Sequence, residues 1–187
     1  MSNATSPRST DEIDARKLIE LNPQSAQAYY NLAQLIAQNS ARIAEAEASY
    51  RHAIDLEPTA ARYVYRLGLF LHENAQRFQE AEACYRHAIE LAPDDPFFYG
   101  GLLNLLMQQS RRAEALTLSV KMRELLNASA NWYGLATLDS ILGNVNAALD
   151  HLRKAANAAD FNYAWARIDP DLATARQDPR FNEIVGL

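Results

Sequence analysis

The chain has 187 residues, of which 49% are hydrophobic and 22% charged, and its formal net charge is -5. This composition excludes disordered and collagen-like chains, and the acidic balance disfavours a protein that grips nucleic-acid phosphates. No apolar run approaches the roughly 18 residues that a membrane-spanning helix needs. The N-terminus lacks the apolar core of a signal peptide, so we expect a cytoplasmic protein.

The first predicted element is a helix over 9–22. Ser9, followed three residues later by Glu12, has the spacing of a capping box, which marks the start of a helix. Residues 1–8 precede this helix as a predicted disordered tail.

The next part of the chain repeats itself. The stretch EAEASYRHAIDLEP begins at Glu45, and EAEACYRHAIELAP begins at Glu80, an offset of 35 residues. Apolar residues ahead of each stretch recur at i, i+3, i+4 and i+7, which is one face of a helix. Each stretch ends in a proline, which cannot continue a helix interior. We therefore predict two helix–turn–helix units, over 24–58 and 59–93.

Two further units are predicted over 94–127 and 128–158. They keep the helical spacing of the apolar residues but lack the closing proline.

The pattern changes after residue 158, and we predict a C-terminal cap over 159–187. Asp169 and Asp178 each precede a proline, and a capping acid before a proline predicts the start of a short helix. Such a cap covers the otherwise exposed end of a helix stack. The apolar residues predicted to pack there are Phe161, Trp165, Leu172, Phe181, Ile184 and Val185.

These units resemble the tetratricopeptide repeat (TPR) family, whose first helix carries an aromatic residue and Leu-Gly or Leu-Ala. Its second helix carries Ala, Tyr and Ala, and a proline follows. The matching residues are Tyr29, Leu32, Ala33, Ala46, Tyr50, Ala53 and Pro58, then Leu67, Gly68, Ala81, Tyr85, Ala88 and Pro93. The family unit has about 34 residues, so we place one extra residue in the turns near Asn39 and Asn74.

The resemblance implies an all-α solenoid of antiparallel helix hairpins, a TPR superhelix with an N-terminal helix and C-terminal capping helices. Close approach of the two helices in a hairpin needs small residues, and we expect Gly68 to face Ala81.

No catalytic or metal-binding motif is found in the sequence. His52 and His87 are equivalent positions of successive units, while His72 and His151 have no acid or cysteine at ligand spacing. We expect the single cysteine, Cys84, to be packed against a neighbouring helix. We therefore predict a non-catalytic protein with no cofactor and no metal.

The residues opposite the apolar face of each first helix form the predicted binding surface, because the resemblance places first helices along a concave groove. Exposed aromatic residues beside amides and arginines are typical of interfaces. The predicted partner-binding residues are Gln27, Tyr30, Asn31, Gln34, Arg62, Tyr65, Arg66, Leu69, Phe97, Asn104 and Tyr133. An alternative for Phe97 and Tyr133 is packing against a neighbouring repeat.

One family subgroup binds acidic chaperone C-termini through basic groove residues. Of the corresponding positions here only Arg66 is basic, so that ligand is not predicted.

The predicted function is a bacterial protein–protein interaction scaffold that binds a partner peptide or helix in the groove, with no nucleic-acid or membrane partner. Two alternatives stay open: a substrate-recruitment module of a larger enzyme, and a self-assembling structural element. The sequence leaves the oligomeric state open, with a monomer favoured. It also leaves open whether the chain's own C-terminal segment occupies the groove.

Overall fold

The computed structural model describes residues 10–159 and 161–186, so the predicted tail over 1–8 and the capping residue Ser9 lie outside the described residues. Every regular element in this part of the chain is a helix, and no strand occurs in it. The prediction of an all-α fold is confirmed. None of the helices described is both long and apolar enough to cross a membrane.

The chain divides into two compact units, which meet between Ala92 and Pro93. The helices of the first unit are α1 (Thr10–Leu21), α2 (Ala26–Ile36), α3 (Ile43–Leu56), α4 (Ala61–Glu73) and α5 (Phe78–Leu91), with a 3-10 turn over Ser40–Arg42. Helix α2 packs on α3 and α4 packs on α5, while α1 packs on α2 and α3 packs on α4. The connections over 37–42 and 74–77 contain the two predicted turns.

Small residues bring the two helices of each hairpin together. Ala46 and Ala81 on the second helices are fully buried. A Cβ atom on Gly68 would lie 2.9 Å from two ring carbons of Tyr85 and 3.1 Å from the Cβ of Cys84. The nearest neighbours of Gly68 on α5 are therefore Tyr85, one turn beyond the predicted partner Ala81, and Cys84.

Ion pairs join successive hairpins of the first unit. Arg42 donates to both carboxylate oxygens of Glu12, at 2.8 and 2.7 Å, and to Glu45 at 2.8 Å. The hydrogen bonds from Arg42 and the charge of Arg16 lower the pKa of Glu12 to about 2, against the effect of burial. The arrangement recurs one repeat on, where Arg77 donates to Glu47 at 2.7 Å.

The second unit contains six described helices. They are α6 (Tyr99–Gln108), α7 (Arg112–Ala128), α8 (Trp132–Ile141), α9 (Val145–Ala156), α10 (Tyr163–Ile168) and α11 (Arg180–Val185), with 3-10 turns over Pro96–Phe98, Pro170–Leu172 and Ala175–Gln177. Helix α6 packs on α7, and α8 packs on both α7 and α9.

The C-terminal segment packs on the last hairpin. The turn Pro170–Leu172 lies against α8 and α11 lies against α9, and Leu172, Phe181 and Val185 are fully buried in the core that they share with these helices. Trp165 was expected in this apolar face, but 48% of it is exposed. It belongs to α10, a third short helix that the two Asp-Pro signals do not mark.

Both predicted capping acids act as expected. Asp169 accepts a hydrogen bond from the backbone N–H of Asp171 at 2.9 Å. Asp178 accepts from the backbone N–H of Arg180 at 3.0 Å. These bonds satisfy donors at helix starts that have no partner within the helix.

Candidate functional site

The predicted site residues of the first unit lie on α2 and α4 and differ in exposure. Gln34 and Arg62 are exposed, while Gln27, Asn31, Arg66 and Leu69 are half-buried. Tyr30 and Tyr65 are buried, with only 8% and 7% of each exposed.

The burial of the two tyrosines corrects the expectation that they stand exposed in the groove. The ring of Tyr30 packs 5.1 Å from that of Tyr63 and 6.2 Å from that of Tyr50, centre to centre. The ring of Tyr65 packs 5.5 Å from that of Tyr85. Both rings sit at the edge of the apolar face of their helices, where a neighbouring helix covers them.

Four of the predicted residues form one polar network. Arg62 Nη2 donates to Gln27 Oε1 at 2.6 Å, and Gln27 Nε2 donates to Asn31 Oδ1 at 2.6 Å. The guanidinium of Arg62 also lies over the Tyr30 ring, 5.6 Å from its centre, a favourable placement for a cation. This network links α2 to α4 and fixes the orientation of its side chains before any partner arrives.

Arg66 differs from the other arginines of this unit. Among those described, at positions 16, 42, 51, 62, 66, 77 and 86, it alone donates no hydrogen bond and forms no ion pair. A half-buried guanidinium has given up part of its hydration. An incoming carboxylate or carbonyl oxygen would therefore find five N–H donors that are bonded to no described residue.

A cleft of about 520 Å³ runs between α1 and α2 beside this network. Asn31 and Gln34 line it together with Asp11, Asp14, Ala15, Leu18 and Leu35, and the two leucines are 52% and 42% exposed. Two of the predicted site residues thus border a true concavity.

In the second unit, two predicted site residues are bound to the chain's own C-terminal segment. Asn104 Nδ2 donates to Asp171 Oδ1 at 2.6 Å, and the hydroxyl of Tyr133 donates to Asp169 Oδ2 at 2.6 Å. Burial and the neighbouring carboxylate of Asp169 raise the pKa of Tyr133 above its ordinary value. The C-terminal segment therefore covers this face of α6 and α8. Phe97 remains 54% exposed.

Sequence reasoning missed a buried charge cluster on α8. Asp139 is 1% exposed, accepts from Arg123 at 2.6 Å and lies 2.9 Å from Nδ1 of His151. Its partners are 16 residues before it and 12 after it, so no local spacing signals the cluster. Arg123 and His151 thereby provide partners for the carboxylate of Asp139, which would otherwise be buried without one.

Sequence reasoning also missed a pocket of about 390 Å³ where α8 begins and α9 ends. It is lined by Ala130, Asn131, Trp132, Tyr133, Ala155, Ala158, Phe161, Asn162 and Trp165. We call it the tryptophan pocket, since it contains both tryptophans of the chain. The only sequence signal is that both tryptophans lie near the junction of the last unit with the cap.

The remaining candidates are packed into the hairpins. Nδ1 of His72 lies 3.3 Å from the hydroxyl of Tyr85. Cys84 is half-buried, and burial raises the pKa of its thiol. In the part of the chain that the structure describes, no three His, Cys, Asp or Glu side chains cluster as metal ligands.

Two stretches of the chain, 15–48 and 61–95, match family models described as tetratricopeptide repeat. Together with the helix hairpins, these matches define the class: the chain is a tetratricopeptide-repeat protein. The first match begins within α1 and ends within α3. No curated protein sequence matches the chain.

Solved structures show the same fold at low sequence identity. PilF of Pseudomonas aeruginosa is 22% identical, with 94% of this chain and 79% of that chain covered and a TM-score of 0.59. MamA is 23% identical, with 64% of this chain and 69% of that chain covered and a TM-score of 0.57. YrrB, described as a TPR protein with an unusual peptide-binding site, is 20% identical, with 91% of each chain covered and a TM-score of 0.52.

Proposed function

We propose that this chain is a non-catalytic protein-interaction scaffold that binds an extended or helical segment of a partner protein on the α2–α4 surface. We define that surface by Gln27, Asn31, Gln34, Arg62, Arg66 and Leu69, with Tyr30 and Tyr65 behind it. The single observation that carries the proposal is the half-buried guanidinium of Arg66, which pairs with no described residue, on the same pair of helices as the exposed amide of Gln34.

The chemistry of the surface favours an acidic or carbonyl-rich segment. Arg66 supplies a fixed positive charge for an acidic side chain of the partner. Gln34 has a free amide that can both donate to and accept from a peptide backbone. The bonds of Arg62 to Gln27, and of Gln27 to Asn31, order those three side chains, so that less of their side-chain entropy is lost on binding.

The repeat architecture supports the same proposal. Helical repeats present extended surfaces that are preformed by stacking of neighbouring hairpins. YrrB is described as having a peptide-binding site, and its fold is shared by this chain. We propose the same class of ligand here, in a bacterial and cytoplasmic setting.

The second unit contributes less than the sequence predicts. Asn104 and Tyr133 are engaged by Asp171 and Asp169, so we leave them out of the partner site. Phe97, in the second unit, stays a candidate residue for contact with a partner.

The experiment compares proteins captured from a lysate by the wild type and by the double variant Gln34→Ala/Arg66→Ala. A matched control, Arg86→Ala/His87→Ala, removes exposed residues of α5. We expect one or more proteins to be captured by the wild type and the control and lost with the double variant. Each is then purified, and its affinity for the three proteins is measured. An identical affinity for all three would contradict the proposed site.

Self-assembly is a second candidate, and one observation favours it. Helix α1 exposes apolar side chains, with Ile13 at 54% and Leu21 at 75%. Light scattering over a range of concentrations tests this alternative. A mass that rises with concentration for the wild type, and stays constant for Ile13→Gln/Leu21→Gln, would favour it over a monomeric scaffold.

A further inference from the structure

The tryptophan pocket is built from aromatic rings that are partly exposed and supported from outside the pocket. Trp132 is 38% exposed and Trp165 is 48% exposed, although tryptophan is usually mostly buried. The Trp132 ring stacks on His151, with centres 6.0 Å apart and planes 19° apart, and Lys154 Nζ lies 4.6 Å from its centre. Neither His151 nor Lys154 lines the pocket. The ring is thus held in position without filling the cavity.

The side-chain amide oxygens of the described lining each accept a hydrogen bond from the chain itself. Asn131 Oδ1 accepts from the N–H of Gly134 at 2.8 Å, and Asn162 Oδ1 accepts from the N–H of Trp165 at 2.9 Å. Backbone carbonyls in the lining are used as well: that of Ala130 accepts from Trp132 and that of Ala158 accepts from Phe161.

Hydrogen-bond donors, in contrast, remain available. The two indole N–H groups and the side-chain N–H₂ groups of Asn131 and Asn162 donate to no residue within 10–159 or 161–186. No charged side chain is among the nine lining residues. Among its described lining residues, the pocket therefore offers aromatic rings and donors, with its amide acceptors engaged and no charged side chain.

We propose that the tryptophan pocket binds a proline-rich segment of a partner protein in the polyproline II conformation. Each proline presents an apolar ring and a carbonyl acceptor and has no backbone N–H, so it demands no acceptor from the pocket. Polyproline II carbonyls are not used within the helix, and aromatic-lined grooves dock such segments. An ordinary peptide would bring N–H groups that must share acceptors already engaged among the described lining residues, at a cost for each group buried.

The size of the pocket suits a short segment. A volume of about 390 Å³ is at the lower end of the range for ligand sites, about 300–1,000 Å³. It accommodates a few side chains and excludes a folded domain. This site is independent of the α2–α4 surface, since its lining lies wholly in the second unit.

Intrinsic fluorescence provides the test, because both tryptophans of the chain line the pocket. We titrate the full chain with a decaproline peptide blocked at both ends and follow tryptophan emission. We expect a saturable change, and binding about tenfold weaker in Trp165→Ala, which removes an exposed aromatic contact. Trp132 still reports in that variant. Val120→Ala, which trims a 59% exposed apolar side chain on α7 of the same unit, serves as the matched control and binds like the wild type.

Three results would overturn the proposal: no saturable change, an equal affinity for a blocked glycine–serine peptide of the same length, or unchanged affinity in Trp165→Ala. A preference for a blocked glutamate peptide would also overturn it. If Trp165→Ala unfolds on heating well below the wild type, Trp165→Phe keeps a ring, loses the indole donor and is expected to bind less tightly than the wild type. Gln34→Ala/Arg66→Ala should bind decaproline normally, which separates this test from that of the proposed function.

Discussion

The hydroxyl of Tyr133 lies 2.6 Å from a carboxylate oxygen of Asp169 and donates a hydrogen bond to it. One partner is in the first turn of α8 and the other precedes the turn Pro170–Leu172. Asp169 is only 5% exposed, so this bond, with those from its own turn, compensates a charge that would otherwise be poorly solvated. The bond attaches the C-terminal segment to the last hairpin.

Removal of that hydroxyl should weaken the attachment. We expect Tyr133→Phe to lower the free energy of unfolding by about 1–3 kcal/mol, because a buried carboxylate loses a donor while the ring is kept. Chemical denaturation followed by circular dichroism measures the change. Tyr163→Phe removes a hydroxyl from a 42% exposed tyrosine and should change stability by about 0.5 kcal/mol or less. Equal effects of the two variants would refute the role given to the Tyr133 bond.

Gly68 should not tolerate a side chain. At an ordinary helical position Gly→Ala stabilises a protein by about 0.5–1 kcal/mol. At Gly68 the added methyl meets the fully buried ring of Tyr85 at 2.9 Å, so we expect Gly68→Ala to destabilise by about 1–3 kcal/mol. Thermal or urea unfolding gives the sign. Ala83→Gly, on the exposed face of α5, measures the helix-propensity effect alone, and a stabilised Gly68→Ala variant would show that the hairpin can relax.

Glu12 should make the stability of the first unit depend on pH. Its pKa is lowered from 4.5 to about 2 by Arg42 and Arg16, so the unfolded state binds a proton at higher pH than the folded state. The stabilisation is fully present above about pH 4.5 and is lost as pH falls towards 2, with an upper limit of about 3 kcal/mol.

The measurement compares unfolding free energies of wild type and Glu12→Gln across that pH range. We expect the difference between them to shrink as pH falls from 4.5 towards 2. Glu20→Gln, at an exposed position of α1, is the control and should track the wild type. A difference that stays constant down to pH 2 would argue against the ion pair as its source.

Substitutions of Tyr65 and Arg66, which are adjacent on α4, should have different effects on stability and on partner binding. Tyr65 is 7% exposed and packs on Tyr85, so Tyr65→Ala should cost about 3 kcal/mol of stability or more. Arg66 has no described partner, and Arg66→Ala should cost about 0.5 kcal/mol or less while reducing capture of the partner. Melting temperatures of the two variants make the comparison. A strong loss of stability in Arg66→Ala would mean that its guanidinium serves the fold.

The sequence predicts the hairpins well because their determinants are local. The stretch that begins at Glu45 recurs at Glu80, which establishes the repeat length. The helical spacing of apolar residues identifies most of the core. Periodicity fixes which residues share a face, but it does not fix where a neighbouring helix ends. Tyr30 and Tyr65 lie at that boundary and are covered by helices from other parts of the chain.

The binding sites are less predictable because they depend on distant contacts. Asn104 meets Asp171 across 67 positions of the chain, and no spacing rule connects them. The tryptophan pocket likewise forms where the loop before α8 meets the end of α9 and the start of α10. The side-chain oxygens of Asn131 and Asn162 cap helices, which leaves their N–H₂ groups as the available donors. These capping bonds are seen only in the structure.

The contact of Arg42 with Glu12 and its recurrence in Arg77 with Glu47 have a consequence for how such a chain can grow. The hairpin over 24–58 carries both a basic residue, Arg42, that pairs with the preceding helix and an acidic residue, Glu47, that pairs with the following hairpin. A gene that duplicates residues 24–58 in place would encode an additional hairpin already equipped to join both neighbours. Lengthening the array by one such duplication would then keep an Arg–Glu pair at both junctions.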